Sequence, residues 1–353
     1  MTENQLIIEA FVRLGTFLRS FCDSKVDSAH NNDKWHSEFN EAIVLANHKN
    51  GWFTEENVIF ALKGWGELLT FDKLTDWLSN YTIEKNQQKT VAIIMAGNIP
   101  LVGFHDFLTV LITGNKVLGK LSSNDTILLP LISRFLIDTE PSLSDKIIFT
   151  EDRLENFDAV IATGSNNTAR YFEHYFDKKP NIIRRNRNSL AVLTGNETKD
   201  QLAALGEDIF RYYGLGCRSV SKLFVPKDYD FDTFFKAIYD YNPIIRQIKY
   251  ANNYDYNKAV YLMSEFKILE NGFLILKVDK SYASPIASVF YENYDSLKSL
   301  KTKLAKEEEK IQCVVADGFI ENEIPFGGTQ SPNLTDYADG VDTVYFLLKT
   351  NKI

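Results

Sequence analysis

The sequence predicts an α/β protein: a helical N-terminal segment, then a domain built on a parallel sheet, then a second α/β region. Three observations lead there. Apolar residues recur at helical spacing over the first 85 positions. From Thr90 short β-branched runs alternate with helical stretches, and beyond Val220 the alternation resumes with new strands. Strands separated by helices of this length need crossover connections, and so pair in parallel.

Leu6, Ile7, Ala10, Phe11, Leu14, Leu18 and Phe21 form the apolar stripe of a first helix. Thr54 stands where its hydroxyl can cap a helix over Glu55–Leu68. Trp35, Trp52, Trp65 and Trp77 read as packing residues. Val91–Met95 is a strand ending in Ala-Gly-Asn-Ile-Pro, and Val117–Leu121 precedes a helix that Asp125 can cap, through Leu136. Ile147–Thr150 and Ala159–Ala162 are further strands, the second running through Thr-Gly-Ser into a helix that ends at Phe176. Leu190–Leu193 and a helix over Lys199–Tyr213 complete this domain. The later strands are Ser221–Val225, Phe273–Val278, Ala287–Tyr291 and Cys313–Ala316, joined by helices Asp232–Tyr241, Tyr254–Phe266 and Tyr294–Lys310. A tail from Glu323 carries a Gly-rich turn and a final apolar strand, Thr343–Leu348.

With 353 residues, 44% hydrophobic and 24% charged, the chain can bury more than one core. A net charge of −8 excludes a general electrostatic grip on nucleic acid or anionic lipid. The N-terminal residues lack the features of a secretory signal, and no apolar run approaches the ~18 residues of a membrane span. Cys22, Cys217 and Cys313 lie too far apart for a disulfide framework, and a cytoplasmic location is expected. The histidines form no metal-ligand spacing, so no metal is expected.

The residues with chemistry in them fall at strand ends. In Tyr212-Tyr213-Gly214-Leu215-Gly216-Cys217-Arg218-Ser219 the glycines let a carbonyl approach the sulfur, and Arg218 favours a thiolate. Taken alone, the octapeptide favours a small buried cysteine after a helix-capping glycine. Asn98 is either a helix cap or a donor to a developing oxyanion, and by itself the cap prevails. Lys120 is by default a surface lysine. Thr163-Gly164-Ser165 offers helix N-terminal amides to a phosphate. Neither Gly-x-Gly-x-x-Gly nor a Walker lysine motif is present.

These pieces occur in the order of the aldehyde dehydrogenase superfamily: an Asn after a strand, a Gly-Asn…Lys strand, Thr-Gly-Ser, a Cys preceded by Gly, and a terminal Pro-Phe-Gly-Gly. Here they are Asn98, Gly114-Asn115…Lys120, Thr163-Gly164-Ser165, Cys217 and Pro325-Phe326-Gly327-Gly328. Gly97-Asn98-Ile99-Pro100, Gly214-Leu215-Gly216-Cys217-Arg218-Ser219 and the short length resemble the LuxC-type branch, the fatty acyl-CoA reductases. The resemblance implies a two-lobed aldehyde dehydrogenase-like fold. Its parts are a helical segment over 1–88, a Rossmann-like cofactor domain over 89–213, a catalytic domain over 214–322 and a C-terminal return over 323–353. It implies Cys217 as nucleophile and Asn98 as oxyanion donor. Lys120, Ser122, Ser123, Thr163, Gly164, Ser165 and Phe326 become cofactor contacts.

Departures from the superfamily pattern sharpen the expected activity. The stretch Ile183–Ser189 carries no carboxylate where hydrolytic relatives have a water-activating Glu, so an acyl-cysteine should outlive water attack. That favours NADPH-dependent reduction of an acyl thioester, such as an acyl-CoA, to an aldehyde. An acyl-phosphate reductase and a catalytically inactive binding protein are the alternatives. Ser122 and Ser123 stand where NAD-using relatives have an acid, which admits a 2′-phosphate and favours NADPH over NADH. Ser281-Tyr282-Ala283-Ser284-Pro285 replaces Glu-x-Phe-Gly-Pro, removing an acidic ribose contact. Arg184, Arg185 and Arg187 are equally well read as CoA or cofactor phosphate ligands and as a solvated basic loop, with Arg218 a further substrate contact. An acyl-activating partner enzyme and a homo-oligomer are family implications; the family's pairing hairpin is not identifiable in this shorter chain.

Overall fold

A computed structural model describes residues 2–27, 33–83 and 86–350. The chain divides into two compact units, one formed by Met1–Arg185 with Asn333–Ile353 and the other by Asn186–Pro332.

The first unit begins with four helices, α1 (Glu3–Asp27), α2 (Lys34–Lys49), α3 (Glu55–Leu68) and α4 (Phe71–Leu78). The stripe read from the sequence is the buried face of α1, where Ile7, Phe11, Leu14, Leu18 and Phe21 are wholly inaccessible. They share one core with Phe39, Val58, Leu62, Phe104 and Phe107. Each such side chain contributes roughly 1.5–3 kcal/mol by leaving water. Thr54 caps α3, its side chain accepting the Asn57 N–H at 3.4 Å. The tryptophans pack as expected: Trp65 meets Phe104 edge-on, and Trp77 joins the buried set.

Alternation then builds the sheet: β1 (Thr90–Ile94), α5 (Phe104–Ile112), β2 (Lys116–Lys120), α6 (Leu128–Thr139), β3 (Ile147–Phe149), β4 (Ala159–Thr163), α7 (Asn166–Phe176) and β5 (Asn181–Arg184). The strands lie in the order β3-β2-β1-β4-β5, all parallel. β5 was missed in the sequence because Asn-Ile-Ile-Arg is a brief run behind a proline, and only its pairing with β4 makes it a strand.

The second unit contains β6 (Asn188–Val192), α8 (Lys199–Phe210), β7 (Val220–Pro226), α9 (Phe231–Ala237), α10 (Ile248–Met263), β8 (Ile268–Glu270), β9 (Ile275–Val278), β10 (Ser288–Tyr294), α11 (Leu297–Lys306) and β11 (Ile311–Val315). Its order is β11-β6-β7-β10-β9-β8, parallel except for the antiparallel edge pair β8–β9. Thus β6 and α8, assigned by sequence to the first domain, pair and pack in the second: β6 lies between β7 and β11. Strand periodicity reports that a run is a strand, not which sheet accepts it.

The final apolar run is a helix, α12 (Thr343–Lys349), not a strand, and it belongs to the first unit. Asp342 caps it by accepting the Tyr345 N–H at 2.8 Å. Val344 and Leu347 are buried at a spacing of three, the helical period. Trp77 donates to the Tyr337 hydroxyl at 2.7 Å and Tyr81 to Asp342 at 2.8 Å, fastening the returning chain to the N-terminal helices. Among the described residues no helix is long and apolar enough to cross a membrane, and no group of three His, Cys, Asp or Glu is placed to hold a metal.

Candidate active site

In the first sheet the strand order reverses direction between β1 and β4, where such sheets open a crevice at their carboxyl ends. The loops that reach that edge carry Asn98 after β1, Lys120 at the end of β2 and Thr163-Gly164-Ser165 at the end of β4. A Cβ on Gly97 would lie 2.6 Å from the Ser122 Cβ and Oγ, so the loops after β1 and β2 press together through a hydrogen. Asn98 is half-buried and does not cap a helix, because α5 starts six residues later with Gly103 at its N-cap. Lys120 donates to the carbonyls of Glu151 at 3.2 Å and Asp152 at 2.9 Å. The Ser122 hydroxyl accepts the Asn124 N–H at 3.3 Å, and Ser123 is exposed.

Ser165 is the N-cap of α7, its hydroxyl accepting the Thr168 N–H at 3.2 Å. A Cβ on Gly164 would lie 3.0–3.1 Å from Thr168 and Phe172, so the turn is wound tightly onto the helix. The positive end of the α7 dipole therefore sits at the carboxyl edge of β4, next to the half-buried Thr163.

Asp125 is expected to cap α6; the N-cap position falls at Ile127, whose own side chain cannot cap, and the Asp125 carboxyl faces the amides of Ile127 and Leu128 at the start of the helix. Asp125 is buried, its own amide donating to the Ser122 carbonyl at 3.0 Å. Burial pushes its carboxyl up to about 6, with the amides of Leu101, Leu128 and Ile127 opposing that rise. The folded protein therefore holds this proton more tightly than the unfolded chain. The group opposes folding in full above about pH 6, and the penalty fades as pH falls toward 4. Replacing Asp125 by Asn should raise stability relative to the parent progressively between pH 4 and 6, by at most about 3 kcal/mol over that window. Parallel melting-temperature curves for the two proteins across that window would contradict this.

The arginine cluster divides. Arg184 is buried and paired in bidentate fashion with the buried Asp106, Nη2 lying 2.9 Å from Oδ1, and it also donates to the Thr343 hydroxyl at 3.2 Å. The guanidinium is thus engaged inside the first unit, joining β5 to α5 and α12, which argues against a phosphate-binding role. Burial opposes its charge, and the Asp106 carboxylate more than offsets this, raising its pKa. Arg185 is exposed and paired with Glu173. Arg187 is half-buried and lies in the second unit, which starts at Asn186.

In the second unit Cys217 lies at the amino end of β7 and is solvent-exposed. Cys22 and Cys313 are buried, and burial, with Asp23 adding and Lys63 opposing, pushes the Cys22 thiol up to about 11. The reading of Cys217 as a core cysteine is thus excluded, whereas it holds for the other two. Leading into it, Tyr212 (φ 55°), Tyr213 (φ 59°) and Gly214 (φ 74°) are left-handed in succession. Two non-glycine residues in that region cost of order 1–2 kcal/mol each, a strain that persists only where neighbours hold it. Tyr212 is buried and the Tyr213 ring lies against Tyr250, which supplies that hold. Ser189, at the amino end of β6, donates to the Cys217 carbonyl at 2.9 Å.

Arg218 donates through Nε to the Thr329 carbonyl, and Gln330 to the Ser219 hydroxyl at 3.4 Å. Pro325-Phe326-Gly327-Gly328 is therefore tied to the cysteine turn. Phe326 is half-buried against the second unit's core. Sequence reading missed Asp208, a wholly buried α8 carboxylate that accepts the Gly327 N–H at 2.7 Å and the Thr329 N–H at 2.9 Å. Its only sequence signal was a charged residue on an otherwise apolar helix face.

Residues 66–237, just under half of the chain, match the family model described as acyl-CoA reductase (LuxC). No curated protein matches the sequence. Among solved structures the chain is similar to an indole-3-acetaldehyde dehydrogenase complexed with NAD+ (12% identity, 91% of this chain and 73% of that one, TM-score 0.64). It is similar also to a putative methylmalonate-semialdehyde dehydrogenase from Sinorhizobium meliloti complexed with NAD (12%, 98% and 84%, TM-score 0.63). A third is the gamma-glutamyl-gamma-aminobutyraldehyde dehydrogenase of Burkholderia cenocepacia (12%, 91% and 72%, TM-score 0.64).

Proposed function

Because the chain is LuxC-like in sequence and has the aldehyde dehydrogenase fold, we propose that it reduces an acyl thioester of the acyl-CoA kind to an aldehyde through an acyl group held on Cys217. The observation that carries this reading is the exposure of Cys217 on a strained turn, set against two buried cysteines. The family match supports an oxidoreductase working between acyl and aldehyde levels.

The carboxyl edge of the first sheet fits a nicotinamide nucleotide. The strand-order reversal, the Gly164 turn wound on the α7 N-terminus and the Lys120 ammonium are groups that suit a phosphate and a ribose. Thr163, Gly164 and Ser165 would hold phosphate, with Lys120, Ser122 and Ser123 toward the ribose; Phe326 is a cofactor contact only as the family resemblance implies. When bound, the nucleotide supplies a hydride. Serines in place of an acid favour NADPH.

The Cys217 thiolate attacks the acyl carbonyl carbon, and the resulting oxyanion is met by the Cys217 N–H and, as the family resemblance implies, the Asn98 carboxamide. The thioester C–S bond breaks and the thiol leaves with a proton. Hydride added to the acyl carbon, with a proton taken up by its oxygen, would give a thiohemiacetal on Cys217; as its C–S bond breaks the O–H proton is lost and the sulfur takes one up, releasing aldehyde and restoring the thiol. No carboxylate lies in Ile183–Ser189 to activate water, so the acyl-cysteine awaits reduction. Arg185, Arg187 and Arg218 remain candidates for the carrier's phosphates.

The test is nucleotide oxidation against acyl-CoAs of graded chain length, with acyl phosphates in parallel and NADPH against NADH. Turnover should appear with acyl-CoA, with aldehyde formed in equal amount and NADPH the better reductant. Turnover with acyl phosphates alone would favour the acyl-phosphate reductase instead, and none with either would favour a binding protein.

A further inference from the structure

We propose that Asp208 is a positioning residue for Cys217, acting through the 325–330 loop and Arg218. The inference rests on Cys217 being the nucleophile. Asp208 lies on α8, the helix that runs directly into the strained residues 212–214 and then Cys217. Its carboxylate is fully buried and takes two backbone amides of one loop, Gly327 at 2.7 Å and Thr329 at 2.9 Å. Thr329 is itself buried, and its carbonyl receives the Nε of Arg218, the residue after Cys217. Gln330 adds a second tie from the same loop, to Ser219. The chain of contacts is therefore closed: helix to loop by Asp208, loop to the far side of the cysteine by Arg218 and Ser219, and the cysteine back to the helix through the left-handed turn.

A carboxylate suits this place for a stated reason. It is an acceptor on both oxygens and can take two converging N–H donors, whereas an Asn side chain offers one acceptor and sets an NH2 against the second amide. Burial raises the Asp208 pKa, and the Thr329 and Gly327 amides offset that rise only in part, so the two N–H donors are what the buried carboxyl has in place of water. With the loop in place, the side chain of Arg218, the residue that follows the thiol, is anchored on the Thr329 carbonyl. A cation held there favours the thiolate, and one released to solvent does so less.

The experiment measures iodoacetamide alkylation of the Cys217 peptide by mass, from pH 6 to 10, in the parent, Asp208→Asn, Arg218→Met and the double variant. It uses the full chain, with circular dichroism to establish folding. Each single variant should alkylate at least about threefold more slowly at pH 7, with the profile moved to higher pH. The double variant should be no worse than the poorer single one, because both act on one link. In acyl-CoA reduction Asp208→Asn should lower kcat at least about tenfold with KM within about twofold. Unchanged alkylation in folded Asp208→Asn, or additive effects in the double variant, would overturn the proposal. Should Asp208→Asn not fold, Thr329→Val, which removes the hydroxyl donated to Asp208, takes its place under the same criteria. If the parent reduces no acyl substrate, the proposed reaction fails while alkylation still reads the link. If the parent turns over and the variants match it, only the positioning role fails.

Discussion

Replacing Cys217 by Ala should abolish aldehyde formation from acyl-CoA, by roughly 10^4-fold or more, while nicotinamide nucleotide binding stays within about twofold of the parent. The split follows from the fold. Cys217 is an exposed residue at the amino end of β7 in the second unit, whereas the strand-end loops fitted to a nucleotide belong to the first. Incubating the parent with acyl-CoA and no reductant should leave one acyl mass on the Cys217 peptide, which the variant lacks. Cys22 and Cys313 are buried, and the Cys22 thiol is pushed up to about 11, so neither should compete for the label. Native turnover by Cys217→Ala would move the nucleophile elsewhere. The Asn98→Ala variant should keep the label but form it about 10^2–10^3-fold more slowly, the usual cost of one oxyanion donor.

Replacing Asp106 by Ala should destabilise the protein by about 3–5 kcal/mol, because it strands the Arg184 guanidinium in the interior. In a unit of this size that lowers the melting temperature by on the order of 10 °C. The pair is bidentate, and the Arg184 Nε is buried with no hydrogen-bond partner, so the site is already costly for a cation. Removing both charges as Asp106→Leu with Arg184→Met should recover most of the loss, since packed apolar atoms then replace two desolvated ions. The alternative role of Arg184, as a phosphate ligand, predicts weaker substrate or cofactor binding with little change in stability. A melting curve of Arg184→Met distinguishes the two, and near-native stability would return Arg184 to the binding set.

The legible parts were those encoded locally. Helix α1 was readable because its buried face repeats every three to four residues, and α3 because Thr54 precedes it. Most strands of both sheets stood out as short β-branched runs between helices. The order of Asn98, Lys120, Thr163-Gly164-Ser165, Cys217 and Pro325-Phe326-Gly327-Gly328 also lies in the chain itself, and it was enough to name a family resemblance that the family model and the fold then matched.

What depended on long-range packing could not be read that way. β6 joined the second sheet because β7 and β11 flank it, a fact about partners 30 and 120 residues or so downstream. The 343–348 run has the apolarity of a strand and became a helix on meeting the first unit's core, where Val344 and Leu347 are buried. The fates of three polar residues were settled in the same way. Arg184 was withdrawn from solvent by Asp106, 78 positions earlier. Asp208 acquired its two amides from a loop about 120 positions later. Cys217, whose octapeptide alone favoured burial, remained at the surface. Local periodicity carries information about neighbours three or four residues away, but burial and charge pairing are properties of the whole folded chain, and they decide which polar groups remain available for chemistry.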